Sequence, residues 1–207
     1  MTAIETIMRT SPVIPVLVMD DVAHAVPVAE ALVAGGLKVL EVTLRTAGAL
    51  DVIRAMSSVP GAIVGAGTVL NLRDMDAAIA HGAQFIVAPG LTESLAHAAR
   101  DREIPFLPGI ATASDLMRGL DLGLNRFKFF PAEAAGGLKA LKALAGPFYS
   151  ARFCPTGGIT QASAPQWLAD PAVLCVGGSW LVGKAVPDIA AIRAAAEAAA
   201  ALPRASA

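Results

Sequence analysis

The first chemistry in this chain is a lysine set among aromatic rings, in Arg126-Phe127-Lys128-Phe129-Phe130-Pro131-Ala132-Glu133. The run reads as a short strand stopped by Pro131. Alternate strand residues face opposite sides, so Arg126, Lys128 and Phe130 share one face, and Phe127 and Phe129 share the other. A lysine turned towards an interior sheds hydration, which disfavours its charged form. A neutral amine is a nucleophile that condenses with a carbonyl to a Schiff base. The bland alternative is a strand-end lysine whose stem packs while its ammonium reaches solvent. The other polar residues of the chain weigh against it.

Glu41 stands in the middle of Val39-Leu40-Glu41-Val42, where a carboxylate is costly unless paired or employed. One reading is a salt bridge to Arg45 or Lys128, and the other is a general acid/base. Glu41, Thr43 and Arg45 are spaced by two and share a face if the strand continues. Arg45 offers a fork for a substrate carboxylate, or else begins the next helix at the surface. In Gly65-Ala66-Gly67-Thr68, Ala66 and Thr68 share a side, and the glycines allow a ligand close approach. Ala88-Pro89-Gly90 follows another apolar run. Two further apolar runs end in Pro155-Thr156-Gly157-Gly158-Ile159 and Gly177-Gly178-Ser179-Trp180. Paired glycines expose backbone N–H groups, and with a helix start beyond they make a seat for an anion.

Positioning these groups requires a regular scaffold, and the chain supplies one unit over and over. An opening helix is expected over Ala3 to Thr10, and then apolar strands alternate with helices. Asp20-Asp21, Thr92 and Thr112 read as caps, and Gly35-Gly36, Gly82 and Gly123 as stops. Val22, Val26, Ala29 and Val33 mark the expected buried face of the helix after the first strand. About eight strand-then-helix units result, which suits a parallel sheet closed as a (β/α)8 TIM barrel behind an N-terminal helix. The whole of residues 1–207 is then one domain. An open doubly wound sheet is the alternative, but no G-x-G-x-x-G opens a first helix. In a barrel, Glu41, Arg45, Thr68, Pro89 and Lys128 all fall at strand ends, where active sites gather. The two glycine loops follow strands seven and eight, where such barrels often hold phosphate.

Composition excludes other classes. The chain is 55% hydrophobic and 16% charged, with a formal net charge of -1. No stretch reaches about 18 uninterrupted apolar residues, so the surplus is assigned to strands buried on both faces rather than to a membrane. No basic tract points to nucleic acid. The start of the chain lacks an apolar signal core, so a cytoplasmic location is expected. His24, His81 and His97 have no i, i+4 partner and no Cys/His cluster exists, so neither a metal nor another cofactor is expected. Cys154 and Cys175, within apolar runs, read as buried free thiols.

These residues fall in six motifs: E-V-T-L-R-T (Glu41 to Thr46), G-A-G-T-V-L (Gly65 to Leu70), P-G-L-T (Pro89 to Thr92), F-K-F-F-P-A-E (Phe127 to Glu133), C-P-T-G-G-I (Cys154 to Ile159) and G-G-S-W (Gly177 to Trp180). Together, and in this order, they resemble the class I 2-keto-3-deoxy-6-phosphogluconate (KDPG) aldolases, also called 4-hydroxy-2-oxoglutarate aldolases, over nearly the whole chain. The resemblance implies Lys128 as the Schiff-base lysine and Glu41 as the proton-transferring acid/base. It implies Arg45 and Thr68 against the pyruvate carboxylate, Gly157, Gly158 and Ser179 around a phosphate, and Pro89 and Thr156 lining the substrate. It also implies a homotrimer acting on a phosphorylated 2-keto-3-deoxy sugar acid. Ala88 stands where a serine commonly precedes Pro-Gly, and Ala134 where an asparagine often follows Ala-Glu. Two rival activities are a sugar-phosphate isomerase, with Lys128 as an electrostatic group, and a non-catalytic barrel that binds a phosphometabolite.

Overall fold

A computed structural model describes residues 1–183 and 185–205. The chain opens with α1 (Ala3–Thr10) and then runs β1 (Val13–Leu17), α2 (Ala25–Ala34), β2 (Val39–Thr43), α3 (Ala49–Ser57), β3 (Ile63–Gly67), α4 (Leu72–Ala80) and β4 (Phe85–Val87). It continues with α5 (Glu93–Asp101), β5 (Phe106–Leu107), β6 (Gly109–Ile110), α6 (Ala113–Asp121), β7 (Arg126–Phe129), α7 (Gly137–Ala145), β8 (Arg152–Pro155), α8 (Ala164–Leu168), β9 (Val176–Gly178) and α9 (Ile189–Ala200). The strands form a curled parallel sheet in two pieces, ordered β5-β4-β3-β2-β1-β9 and β6-β7-β8. All strand pairs are parallel.

After β5, Pro108 interrupts the ladder before the short β6. Proline has no N–H to give to a ladder. Its carbonyl still serves, accepting the Lys128 N–H at 2.8 Å. Single parallel bridges, Phe153 to Val173 and Thr156 to Gly177, join the last strands.

Both faces of the sheet are covered, which is why the strands read as apolar runs without alternation. Every residue of β1 and β2 is buried, Glu41 and Thr43 included. On the outer face the strands pack against the helices in one large cluster that includes Val42, Val64, Ile86, Phe127, Phe129, Phe153 and Val176. On the inner face a smaller cluster joins Ile14, Val39, Phe85, Leu107, Cys154 and Cys175 to Ile7 and Met8 of α1. Helix α1 thus plugs the end of the sheet where the strands begin. It is fastened there by Glu5, which accepts from Arg126 at 2.7 Å and from Arg9 at 2.8 Å.

Most helix starts are signalled locally. The side chains of Asn71, Thr92, Thr112 and Asp188 accept backbone N–H groups of the first turns of α4, α5, α6 and α9. The expected face of α2 needs correcting: Ala25, Val28, Ala29 and Leu32 are buried, whereas Val22 is exposed and Val26 and Val33 only half-buried. The small residues of that face let α9 approach closely, and a Cβ on Gly35 would strike Ala196. The end of the chain is tied down as far as it is described. Ala205 N–H donates to the Leu168 carbonyl and Arg204 to that of Arg9.

Candidate active site

The candidate residues gather where the strands end. Lys128 sits inside β7, opposite Cys154 of β8, and Glu41 inside β2, opposite Gly65 of β3. Lys128 Nζ donates to Glu41 Oε1 at 2.9 Å, across the inner face of the sheet. Lys128 is 5% exposed and Glu41 3%. The salt bridge that sequence allowed as Glu41's bland reading is therefore present. Pairing and chemistry are compatible here, because a buried carboxylate in contact with an amine is placed to take its proton.

The walls of the pair explain the glycines. A Cβ on Gly67 would collide with the Glu41 carboxyl, so the β3 end has to be bare for the acid to lie where it does. The next residue, Thr68, has φ 60, a left-handed conformation that a β-branched residue adopts only when its surroundings impose it. That twist presents its Oγ1 to Arg45, whose Nε donates at 3.3 Å. Arg45 is exposed and Thr68 half-buried, so the two lie at the mouth and the lysine–glutamate pair lies below. Thr43 does not join them. Its hydroxyl donates to the Leu17 carbonyl and serves the sheet.

On the other side, Thr156 is buried, and its side chain occupies the space a Cβ on Gly177 would need. Gly157 and Gly158 follow with φ 103 and 83, outside the range that ordinary residues prefer. The N–H groups of Gly158 and Ser179 have no backbone acceptor among the described residues, while Gly157 lies beside the Thr156–Gly177 bridge. No helix begins directly beyond either glycine loop, contrary to the sequence reading. Loops of several residues precede α8 and α9, so any attraction for an anion comes from loop N–H groups rather than a helix end. Pro89 and Ser179 lie past β4 and β9 on the same rim, half-buried and exposed. Of the two departures from the family pattern, Ala88 is buried at the end of β4, and Ala134 is exposed in the turn after β7.

The sequence reading left Phe130 out of the site. Its ring centroid lies 5.4 Å from Lys128 Nζ, near enough for a cation–π contact. The signal was available, since Phe130 alternates with Lys128 on one face. Beneath the pair, Cys154 and Cys175 are free and buried. Burial, then the hydrogen bond with Cys154, push the Cys175 thiol well above its ordinary value, so it stays neutral and unreactive. Among the described residues no His/Cys/Asp/Glu group could hold a metal ion, and no helix is long and apolar enough to cross a membrane. A cavity of about 400 Å³ opens at the opposite end of the sheet, beside Ile4, Phe106 and Arg126, and includes none of the candidate residues.

A buried lysine–glutamate pair at these strand ends, with an arginine at the mouth, is a constellation for Schiff-base chemistry on a keto acid. The model of the family described as KDPG and KHG aldolase matches residues 4–195. The chain belongs to that family. Among its relatives, the KHG/KDPG aldolase of Escherichia coli K12 is 59% identical over 182 residues, 87% of this chain and 85% of that protein. The crystal structure of the 2-keto-3-deoxy-6-phosphogluconate aldolase of Zymomonas mobilis ZM4 with 3-phosphoglycerate superposes with TM-score 0.96 at 58% identity, covering 98% of this chain and 97% of that one. The KDPG aldolase of Legionella pneumophila, with pyruvate captured as a covalent carbinolamine, superposes with TM-score 0.90 at 43% identity, covering 97% and 99%. These two aldolases thus share this curled α/β architecture over nearly their whole length.

Proposed function

We propose that this chain is a class I aldolase that reversibly cleaves 2-dehydro-3-deoxy-6-phosphogluconate to pyruvate and D-glyceraldehyde 3-phosphate. Its second substrate is 4-hydroxy-2-oxoglutarate, cleaved to pyruvate and glyoxylate. The observation that carries the reading is the 2.9 Å contact between two buried groups, Lys128 Nζ and Glu41 Oε1. Glu41 takes a proton from the ammonium, and the freed amine adds to the C2 keto carbon to give a carbinolamine. Glu41 gives that proton to the carbinolamine hydroxyl, which leaves as water, and a protonated imine remains. Glu41, directly or through a water, then removes the C4 hydroxyl proton. The C3–C4 bond breaks, its electron pair flows into the iminium, and the aldehyde leaves. Glu41 returns a proton to C3 of the resulting enamine, and hydrolysis frees pyruvate and Lys128.

Substrate polarity assigns the remaining groups. Arg45 and Thr68 take the carboxylate next to the keto carbon, the guanidinium giving a charge-assisted hydrogen bond. The N–H groups of Gly157 and Gly158, with Ser179, take the phosphate, while Pro89 and Thr156 line the space between. The assembly we assign to this function is a cytoplasmic homotrimer of single-domain (β/α)8 barrels. In this reading β5 and β6 count as one strand, and the isolated bridges beyond β8 support closure of the ring. The proposed domain spans residues 1–207, of which Lys184, Ser206 and Ala207 lie outside the described residues.

The test is pyruvate release from 2-dehydro-3-deoxy-6-phosphogluconate, its galactonate epimer and 4-hydroxy-2-oxoglutarate, side by side. Turnover is expected with all the substrate features present in the first, and more slowly with the third. Absence of pyruvate from all three would return the chain to the isomerase or binding-protein reading.

A further inference from the structure

The segment after the lysine strand is tied to the first glycine loop by more than a turn requires. Past β7 the Ala132 N–H donates to the Thr156 carbonyl at 2.8 Å and the Glu133 N–H to that of Gly157 at 3.0 Å. The Glu133 side chain, on an exposed residue, packs against the loop at Gly158. A Cβ on Gly158 would come within 2.7 Å of both its Cβ and its Cγ. Its Oε1 accepts from the indole Nε1 of Trp167 at 3.3 Å. Trp167, on α8, is 2% exposed, and its ring centroid lies 6.4 Å from that of Phe129, the neighbour of Lys128 in β7. A continuous path therefore joins the back of the lysine strand, the tryptophan, the glutamate and the glycine loop.

A carboxylate is an unexpected choice beside a seat for an anion, since like charges repel. Its value must lie in what it fixes. We propose that Glu133 is a positioning residue, clamped by Trp167, that holds the Gly157–Gly158 loop in its left-handed conformation with its N–H groups turned to the anionic end of the substrate. Glu133 touches neither the substrate nor the reacting carbons. Its stem packs against Gly158, and its hydrogen bond to the indole keeps that stem in place. Glycine loops left to themselves sample many conformations, and a loop that must be ordered on binding weakens affinity. The inference rests on the phosphate assignment made above for these glycines.

Two variants separate support from charge. Glu133→Gln keeps an oxygen for the indole and the same stem, whereas Glu133→Ala removes both. For the phosphorylated substrate, KM is expected to rise about tenfold in Glu133→Ala with kcat nearly unchanged, and to stay within about twofold in Glu133→Gln. For 4-hydroxy-2-oxoglutarate, which has no phosphate, neither KM should move. Trp167→Phe keeps a ring against Phe129 and should shift KM in the direction of the alanine variant. Amide hydrogen exchange of the free proteins is the second readout and needs no turnover. The amides of Ala132 and residue 133, which donate to the Thr156 and Gly157 carbonyls, should exchange faster in Glu133→Ala and Trp167→Phe, and as in wild type in Glu133→Gln. Unchanged exchange in folded Glu133→Ala overturns the clamp. So does an equal loss with both substrates. If the clamp controls exchange but wild type gains nothing from a substrate phosphate, the loop is positioned as proposed and the phosphate assignment is what fails.

Discussion

Two ion pairs stand two residues apart on the same strand and differ in almost everything except distance. At the start of β7 Arg126 meets Glu5 at 2.7 Å, and in its middle Lys128 meets Glu41 at 2.9 Å. The first pair is nearly saturated. Glu5 has one oxygen on Arg126 and the other on Arg9, and Arg126 also donates to the carbonyls of Asn125 and Ser150. Its buried Nε has no acceptor among the described residues. The second pair has one hydrogen bond, and among the described residues neither partner makes another. A bare glycine wall borders its carboxylate. A saturated network fixes the orientation of its members and keeps them ionised, which suits the fastening of α1 under the sheet. A pair with spare donors and acceptors can exchange a proton or admit a substrate atom without dismantling a network.

The contrast is sharpened by breaking each pair in turn. At the open pair, Glu41→Gln keeps shape and loses proton transfer. Turnover should fall about 10²–10⁴-fold, the imine should still form but more slowly, with water taking the ammonium proton, and the melting temperature should stay near that of wild type. Near-normal cleavage by a folded variant would show that another group moves the proton. At the saturated pair the effects should be reversed. Arg126→Met strands part of a buried network, so we expect a loss of roughly 3 kcal/mol in stability with steady-state constants little changed at low temperature. Thermal unfolding checks the first expectation, and a large fall in kcat would contradict the division of labour.

The smallest expected effect is a pH dependence. The hydrogen bond from Arg9 is the main cause that lowers the Glu5 carboxyl below its ordinary value. Burial opposes it, and Arg126 adds to the lowering. A group depressed in the folded state stays ionised there while the unfolded chain takes up its proton. Its contribution is present above the ordinary glutamate value and is lost as pH falls through the depressed one. The melting temperature of wild type should therefore drop below about pH 4, and more shallowly in Arg126→Met. Equal slopes would mean that the fastening pair adds nothing to acid stability.

The parts of the molecule that rest on local chemistry were legible in the sequence. Caps such as Thr92 and Thr112, and the lysine among phenylalanines, carry their meaning within a few residues. The glycine beside Glu41 shows that a site can be read in part from what is missing, since Gly67 is needed for a contact made across strands. What escaped depends on register or on neighbours remote in sequence. The buried face of α2 was misjudged because α9, from the far end of the chain, packs on its small residues. The short β6 beyond Pro108 is not announced by apolar content alone. Phe130 was passed over although its alternation with Lys128 was already in view. The helix expected beyond each glycine pair was inferred from a habit of phosphate loops, and the chain spends those residues on irregular loops.

The central claim is that Lys128, held against Glu41, is the amine that binds the substrate's keto carbon. Reduction with borohydride in the presence of pyruvate tests it directly. The account predicts loss of activity and a stable three-carbon adduct on the peptide carrying Lys128, absent when pyruvate or borohydride is omitted. An adduct on Lys139, Lys142 or Lys184 instead, or an unmodified protein that still turns over, would contradict it.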